Sequence, residues 1–322
     1  MLAIGALIGG LTLLVLGADW LVKGAARLAS RLGMSAFAIG VTVVAFGTSS
    51  PELFASLRAA TTGAGDLAVG NVLGSNIANV CLILGITALI NPVRVERAVI
   101  RKELPVMLGI TVLAVLTLLD GTVSRIEGGV LALGIVAYVV FAYRVGKADP
   151  ELAAEIADEA RSETESDADA PAWRDAVLIV SGLMGLALGA WLLVEGARYI
   201  AEDLLGVSKG VVGLTIVAFG TSLPELAASL RAVLGKHQDI AVGNIVGSNV
   251  FNLLCVMGFT ATVEPLQSPA MWHAWVVVGT GLLCYPVLRR DRRIGRAQGS
   301  LMFAAYLVYV ILAYRYQGPG SG

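Results

Sequence analysis

The stretch that decides the fold is Gly40–Arg58, GVTVVAFGTSSPELFASLR, because it recurs as Gly213–Arg231, GLTIVAFGTSLPELAASLR. Fifteen of 19 positions are identical, at a constant offset of 173 residues. At the same offset, Asp66–Asn79 (DLAVGNVLGSNIAN) matches Asp239–Asn252 (DIAVGNIVGSNVFN) at nine of 14 positions. Self-similarity at a fixed offset indicates a duplicated architecture. The chain therefore consists of two related halves.

The residues around these motifs are apolar enough to cross a membrane repeatedly. Of 322 residues, 57% are hydrophobic and 15% are charged, and the mean hydropathy is +0.79. Soluble domains carry about 25% charged residues, and a spanning helix needs about 20 mostly apolar ones. We expect about ten transmembrane helices, at 2–22, 36–60, 67–91, 103–119, 127–145, 175–199, 209–233, 239–262, 271–288 and 299–316.

The two halves are predicted to be inverted relative to each other. Each contains about five helices, and because five is odd the second half must enter the membrane from the opposite side. The predicted fold class is therefore an all-α polytopic membrane protein with two inverted five-helix repeats. We expect its domains at 1–146 and 174–322, joined by a linker at 147–173 that holds nine acidic residues.

The distribution of Lys and Arg predicts the orientation of the chain. These residues concentrate in cytoplasmic loops, and the odd-numbered loops, counted from the N-terminus, hold 18 of the 23. Both termini are therefore predicted to lie outside, and the acidic linker is predicted to be cytoplasmic. The same count places Arg58 outside and Arg231 inside, as an inverted repeat requires.

The first motif of each half interrupts an apolar helix. Pro51 and Pro224 have no N–H, so carbonyls of the preceding turn lose their helical partners. Irregular backbone at membrane depth is tolerated only where it is buried or lines a wet cavity. A carboxylate near the bilayer centre is also costly unless it is paired, and no Lys or Arg lies within a helical turn of Glu52 or Glu225. We therefore expect a cation between these two glutamates.

The second motif adds neutral oxygen ligands. Its i, i+4 spacing places Ser75 with Asn79, and Ser248 with Asn252, on one face of each helix. The two motifs together supply carboxylate, amide, hydroxyl and carbonyl oxygens without sulfur or imidazole, which is the ligand set of a hard cation such as Ca²⁺ or Na⁺.

Structural roles for these residues remain open from the sequence alone. Ser49 and Glu52 fit the pattern of a helix capping box, and this role is compatible with ion binding. Asn76 and Asn249 fit hydrogen bonding between membrane helices as well as a role at the site.

Other classes of protein and site have little support in the sequence. His237 and His273 have no second His or Cys at ligand spacing, so zinc or haem is not expected. The net charge of −1 gives no indication of a nucleic-acid partner. We expect no cofactor, and no partners beyond Ca²⁺ and Na⁺ ions and the lipid bilayer, with the chain acting as a monomer.

The paired motifs GTSSPE with GNVLGSNIAN and GTSLPE with GNIVGSNVFN resemble the two alpha repeats of the calcium/cation antiporter superfamily, with prokaryotic sodium/calcium exchangers the most similar. The resemblance implies central ion ligands at Glu52, Asn79, Glu225 and Asn252 in a prokaryotic cell membrane. It further implies supporting ligands, which are the side chains of Thr48, Ser49, Ser75, Thr221, Ser222 and Ser248 and the carbonyls of Ala45 and Ala218.

The function that this resemblance implies is exchange of Ca²⁺ for Na⁺ by alternating access at one midplane site. Some relatives carry Asp where this chain has Asn252, and that acid accompanies potassium dependence or protonation, so coupling to potassium is not expected here. A proton/calcium antiporter on the same fold is the main alternative, and a passive cation channel is a weaker one. An intramembrane hydrolase using Ser49 or Ser222 lacks a His or Lys base in either motif, so we do not expect an enzyme.

Overall fold

The structure is a computed structural model that describes residues 2–97, 99–147, 171, 173–204, 218–267 and 271–316. Its helices, with π-helical turns included in the helix they continue, are α1 (Leu2–Leu32), α2 (Ala36–Thr48), α3 (Ser50–Thr61), α4 (Gly65–Ile90), α5 (Val99–Leu116), α6 (Arg125–Lys147), α7 (Trp173–Leu204), α8 (Ala218–Thr221), α9 (Leu223–Leu234), α10 (Gln238–Val263), α11 (Met271–Asp291) and α12 (Arg296–Tyr316). The π-helical turns are Gly40–Val44, Ala78–Ile83, Val99–Glu103, Ile200–Leu204 and Asn252–Met257.

The described chain is almost entirely helical, as predicted for an all-α membrane protein. Six of its helices are each long and apolar enough to cross a membrane, and α2 with α3 forms a seventh span that is bent by 41°. The predicted segment at 209–233 lies partly outside the described residues, so the count of ten stays a prediction. The linker at 147–173 also lies mostly outside them, and the domain boundaries there remain predicted.

Two short antiparallel ribbons show how the halves are related. Strand β1 (Val93–Arg94) pairs with β4 (Arg293–Ile294), and β2 (Thr122–Val123) pairs with β3 (Leu266–Gln267). The repeat offset of 173 relates β1 to β3, and β2 and β4 correspond because each directly precedes the last helix of its half. Each ribbon therefore takes one strand from each half. Exchanging the two halves therefore maps one ribbon onto the other, as expected for inverted repeats.

The long helices α1 and α7 pack closely and antiparallel. A Cβ atom added to Gly17 would lie 2.7 Å from the backbone nitrogen of Leu186, and one added to Gly182 would lie 2.6 Å from the backbone nitrogen of Leu21. Real Cβ atoms do not approach backbone so closely, so only glycine permits this helix spacing. We call this contact the glycine seam.

Ion pairs connect α1 to its neighbours. Arg31 pairs with Asp175, which is fully buried at the start of α7. Asp19 accepts a hydrogen bond of 2.8 Å from Nε of Arg231, at the end of the repeated motif in α9. Lys23 approaches the other oxygen of Asp19 at 2.8 Å. Helix α1 is thus joined electrostatically to α7 at one point and to α9 at another.

Candidate ion-binding site

The predicted helix breaks occur at one serine in each half. Ser49, with φ −84° and ψ 2°, separates α2 from α3, and Ser222, with φ −89° and ψ 4°, separates α8 from α9. These values lie in the sparsely allowed bridge region of backbone conformation. Pro51 and Pro224 follow in the first turn of the next helix, where proline is tolerated without loss of a hydrogen bond.

The breaks place the two glutamates at the starts of α3 and α9, where backbone N–H groups favour negative charge. Glu52 and Glu225 are each 1% exposed, and Ser49, three residues before Glu52, is hydrogen-bonded to Glu225. Among the described residues, both carboxyl oxygens of Glu52 and Oε2 of Glu225 have no hydrogen-bond donor. A buried oxygen without a partner costs free energy, so these atoms are candidate ligands for a cation.

The serines at the breaks face the glutamate of the other half. Oγ of Ser49 donates to Oε1 of Glu225 over 3.2 Å, and Ser222 interacts with Glu52 across the repeat. Neither serine makes a side-chain capping bond to its own helix. The capping box that the sequence permitted for Ser49 and Glu52 is therefore wrong, because the hydroxyl is engaged across the repeat.

The amide side chains of the second motif are oriented by each other across the two halves. Nδ2 of Asn252 donates to Oδ1 of Asn76 over 3.2 Å, and Nδ2 of Asn79 approaches Oδ1 of Asn249 at 3.5 Å. Asn76 also donates to the carbonyl of Asn249 over 3.2 Å. Within the described part of the chain, Oδ1 of Asn79 and Oδ1 of Asn252 lack a donor. Asn76 and Asn249 thus connect α4 with α10. They also hold the amides of Asn252 and Asn79 so that the oxygen of each has no protein donor.

Both candidate ligand asparagines lie in π-helical turns. Asn79 belongs to Ala78–Ile83 and Asn252 begins Asn252–Met257. Such turns are rare and occur frequently at functional sites. The turn with Asn252 packs against α3, which carries Glu52, and the turn with Asn79 packs against α9, which carries Glu225. Each glutamate-bearing helix thus packs against the π-helical turn of the opposite half.

The predicted hydroxyl ligands are buried to different degrees. Ser75 and Ser248 are buried, and Oγ of Ser248 has no partner among the described residues. Thr48 is buried and donates over 3.1 Å to Oδ1 of Asn244, which leaves its oxygen lone pairs for another contact. Thr221 is half-buried and directly precedes Ser222.

The backbone differs from the expectation of loose carbonyls. The carbonyl of Ala45 accepts the N–H of Ser49 over 3.0 Å, so its helical bond survives, and the hydroxyl of Thr48 also approaches it at 3.4 Å. In the other half, the N–H of Ser222 donates to Phe219 over 3.2 Å. Ala218 begins α8.

Sequence reasoning missed Asn71 and Asn244, the first asparagines of the second motif. Asn71 donates to the carbonyl of Glu52 (3.2 Å) and to Ser56 (2.9 Å). Asn244 repeats these contacts with the carbonyl of Glu225 (3.4 Å) and Ser229 (3.0 Å). Both asparagines therefore position a glutamate-bearing helix. Their identity at the repeat offset was the signal that could have identified them.

The candidate ligands of the site are all oxygen atoms, and two of the ligand groups are carboxylates. Among the described residues, no group of three or more His, Cys, Asp or Glu side chains could hold a metal ion. Amide, hydroxyl and carboxylate oxygens in this combination suit hard cations rather than zinc or copper.

Comparisons with known proteins show the family of this chain. A family model described as sodium/calcium exchanger protein matches residues 2–144 and 175–315. The chain is 39% identical over 314 residues to a putative antiporter, CaxA, of Alkalimonas amylolytica, covering 95% of this chain and 96% of the relative. It is 31% identical over 338 residues to the sodium/calcium exchanger MaX1 of Methanosarcina acetivorans, covering 95% and 96%.

A solved structure shows the same fold. The sodium-calcium exchanger NCX_Mj, soaked with 10 mM Na⁺ and without Ca²⁺, superposes with a TM-score of 0.84 at 34% identity, covering 96% of this chain and 98% of that one. The inverted-repeat fold predicted from the sequence is thereby confirmed. The resemblance to prokaryotic sodium/calcium exchangers is confirmed as well. The chain is an integral membrane protein that belongs to the sodium/calcium exchanger protein family.

Proposed function

We propose that this protein exchanges Ca²⁺ for Na⁺ across the membrane by alternating access at one site near the midplane. The observation that carries this proposal is a set of buried oxygen atoms that lack a donor within the described residues. They are Oε1 and Oε2 of Glu52, Oε2 of Glu225, Oδ1 of Asn79, Oδ1 of Asn252 and Oγ of Ser248. Relatives named as sodium/calcium exchangers and antiporters support the choice of ions.

Charge balance determines how many ions of each kind the site holds. Glu52 and Glu225 together carry two negative charges, which one Ca²⁺ or two Na⁺ neutralise. The amide oxygens of Asn79 and Asn252 complete the centre. The surrounding ligands in this proposal are the hydroxyls of Thr48, Ser49, Ser75, Thr221, Ser222 and Ser248 and the carbonyls of Ala45 and Ala218.

Competition for the same carboxylates suffices to couple the two ions. A site that holds Ca²⁺ cannot hold Na⁺ on the same glutamates, so transport in one direction releases one ion and captures the other. Uncompensated carboxylates resist passage between apolar walls because a charge in a low-dielectric environment is costly. The loaded states therefore switch more readily, and the ions act through differential affinity for the two conformations.

The setting of this cycle is also part of the proposal. We place the protein in a prokaryotic cell membrane with both termini outside and the acidic linker in the cytoplasm. We propose that it acts as a monomer, with only the two ions and the bilayer as partners.

The test is uptake of radioactive Ca²⁺ into proteoliposomes loaded with Na⁺, K⁺ or a proton gradient alone. We expect uptake that requires internal Na⁺ and falls to background in Glu52→Gln and in Glu225→Gln, since each change removes a charge that Ca²⁺ needs. Glu264→Gln is the matched control, because Glu264 is half exposed and paired with Arg125.

Each result has a definite meaning. Near-normal uptake in both glutamine variants, with the proteins folded, would refute the site. Uptake driven by the proton gradient without Na⁺ would keep the site and replace the coupling ion. A flux that neither saturates nor depends on a counter-ion would instead identify a channel.

A further inference from the structure

An open cleft of about 950 Å³ lies at the β1–β4 ribbon, apart from the residues of the candidate ion-binding site. Its walls come from both halves of the chain. Its cationic lining residues are Arg94, Arg97, Lys236, Arg292 and Arg293. Two carboxylates, of Glu96 and Asp239, also line it, so positive charge is in excess.

Within the described ranges, none of the five cations takes part in an ion pair. All five are exposed to the cleft or to solvent. We call this feature the basic cleft.

The ribbon itself places two like charges together. Arg94 and Arg293 are directly opposite partners on β1 and β4, and like charges at directly opposite positions destabilise a strand pair. The equivalent pair on the other ribbon is Gln267 with Thr122, which are uncharged. The ribbon β2–β3 therefore forms without arginine. The fold does not require the two arginines that repel each other in the ribbon β1–β4.

Two further cations occupy unfavourable backbone conformations. Lys236 (φ 63°) and Arg292 (φ 50°) are the non-glycine residues with positive φ in the described chain. Their counterparts in the first half are Gly63 and Gly121, each with φ 83°. Side chains with a Cβ atom rarely adopt this conformation, and glycine adopts it readily. At both positions the second half therefore has a cation where glycine would be less strained.

We propose that the basic cleft binds a phosphate-bearing anion, supplied by a phospholipid headgroup or by a soluble phosphate compound. Arginine presents several N–H donors in a planar fork that fits phosphate oxygens, and two arginines facing each other can share one such group. An anion between Arg94 and Arg293 would remove their repulsion. It would also explain why Lys236 and Arg292 carry charge at strained positions. Clusters of Lys and Arg beside membrane helices are typical of headgroup recognition.

The test is thermal unfolding of the full chain in a neutral detergent at constant ionic strength. The additives are inorganic phosphate, pyrophosphate, phosphatidylglycerol and, as an uncharged comparison, phosphatidylcholine. A ligand that binds only the folded state raises the unfolding midpoint. We expect a rise of several degrees with at least one phosphate-bearing anion and none with phosphatidylcholine.

The variants replace each cation by its counterpart in the other half. Arg94→Gln with Arg293→Thr should lose most of the rise. Lys236→Gly with Arg292→Gly should also lose it, while the midpoint without anion stays equal or increases because glycine relieves the backbone. Arg101→Gln with Lys102→Gln is the matched control, since it removes two nearby exposed charges that do not line the cleft, and it should keep the rise.

The outcomes separate the two sources of phosphate. A rise with phosphatidylglycerol alone would identify a headgroup site, and a rise with phosphate or pyrophosphate would identify a soluble ligand. The proposal is overturned if no anion stabilises the wild-type protein, or if the control variant loses the rise as completely as the cleft variants. Should one pair of substitutions prevent folding, the other pair still decides.

Discussion

Asn71 and Asn244 each connect a glutamate-bearing helix to the helix of the second motif. Because their bonds reach the backbone carbonyls of Glu52 and Glu225, removing them should loosen the carboxylates without removing a ligand. Loss of such supporting contacts around a metal site reduces affinity by about 10- to 100-fold. We expect Asn71→Ala and Asn244→Ala to raise the KM for Ca²⁺ about tenfold or more in the uptake assay.

The control for this prediction is Asn91→Ala, which removes the same side chain outside both motifs. Its KM should remain that of the wild-type protein. If Asn71→Ala and Asn244→Ala leave the KM unchanged, the asparagines do not position the glutamates.

Single residues also show what the sequence could and could not predict. Glu52 and Glu225 were predictable because an unpaired carboxylate in an apolar helix is costly and the cost recurs at a fixed offset. The partner of Ser49 was not, since a hydroxyl bonds equally well to its own helix or to a carboxylate 176 positions away. The π-helical turns at Asn79 and Asn252 were also missed, because hydrophobic periodicity does not distinguish them from α-helix.

At the level of helices, the glycine seam predicts that one added methyl group lowers the stability of the protein. An added Cβ at Gly182 meets the backbone of Leu21 and Gly17, whereas one at Gly9 meets nothing within 4 Å. Overpacking of this kind costs roughly 1–3 kcal/mol. We therefore expect Gly182→Ala to lower the thermal unfolding midpoint in detergent and Gly9→Ala to leave it unchanged. Equal midpoints for both variants would show that α1 and α7 can separate without cost.

The packing of α1 illustrates what helix-level prediction lacks. Its apolar character was readable from composition, but its length was not, because the predicted segment 2–22 is shorter than the observed helix Leu2–Leu32. Its ion pair with Arg231 was not, because Asp19 and Arg231 are 212 positions apart and no local pattern joins them. The second half has no acidic residue at the position equivalent to Asp19, which is Trp191 in the aligned segments Gly17–Ala25 and Gly189–Ala197.

For the whole molecule, we predict that the loops after α3 and α9 lie on opposite sides of the membrane. Thr62→Cys and Lys236→Cys lie one residue apart in the repeat register and follow equivalent helices. In a chain whose own cysteines are replaced, we expect a membrane-impermeant maleimide to label Thr62→Cys in intact cells, and Lys236→Cys only after permeabilisation. The reverse pattern would invert the orientation, and labelling of both from outside would contradict opposite placement of the two loops.

The paired ribbons also constrain the order in which this protein can be completed during its synthesis. Strands β1 and β2 both belong to the first half, yet their partners are β4 and β3 near the end of the chain. A ribosome must therefore deliver almost the entire polypeptide to the bilayer before either ribbon can close. The contacts of Asn76 with Asn249 and of Ser49 with Glu225 likewise cannot form until the second half has been synthesised. The first half must persist in the membrane as an incomplete intermediate, with Glu52 still lacking its counterpart Glu225, until the inverted second half has been inserted.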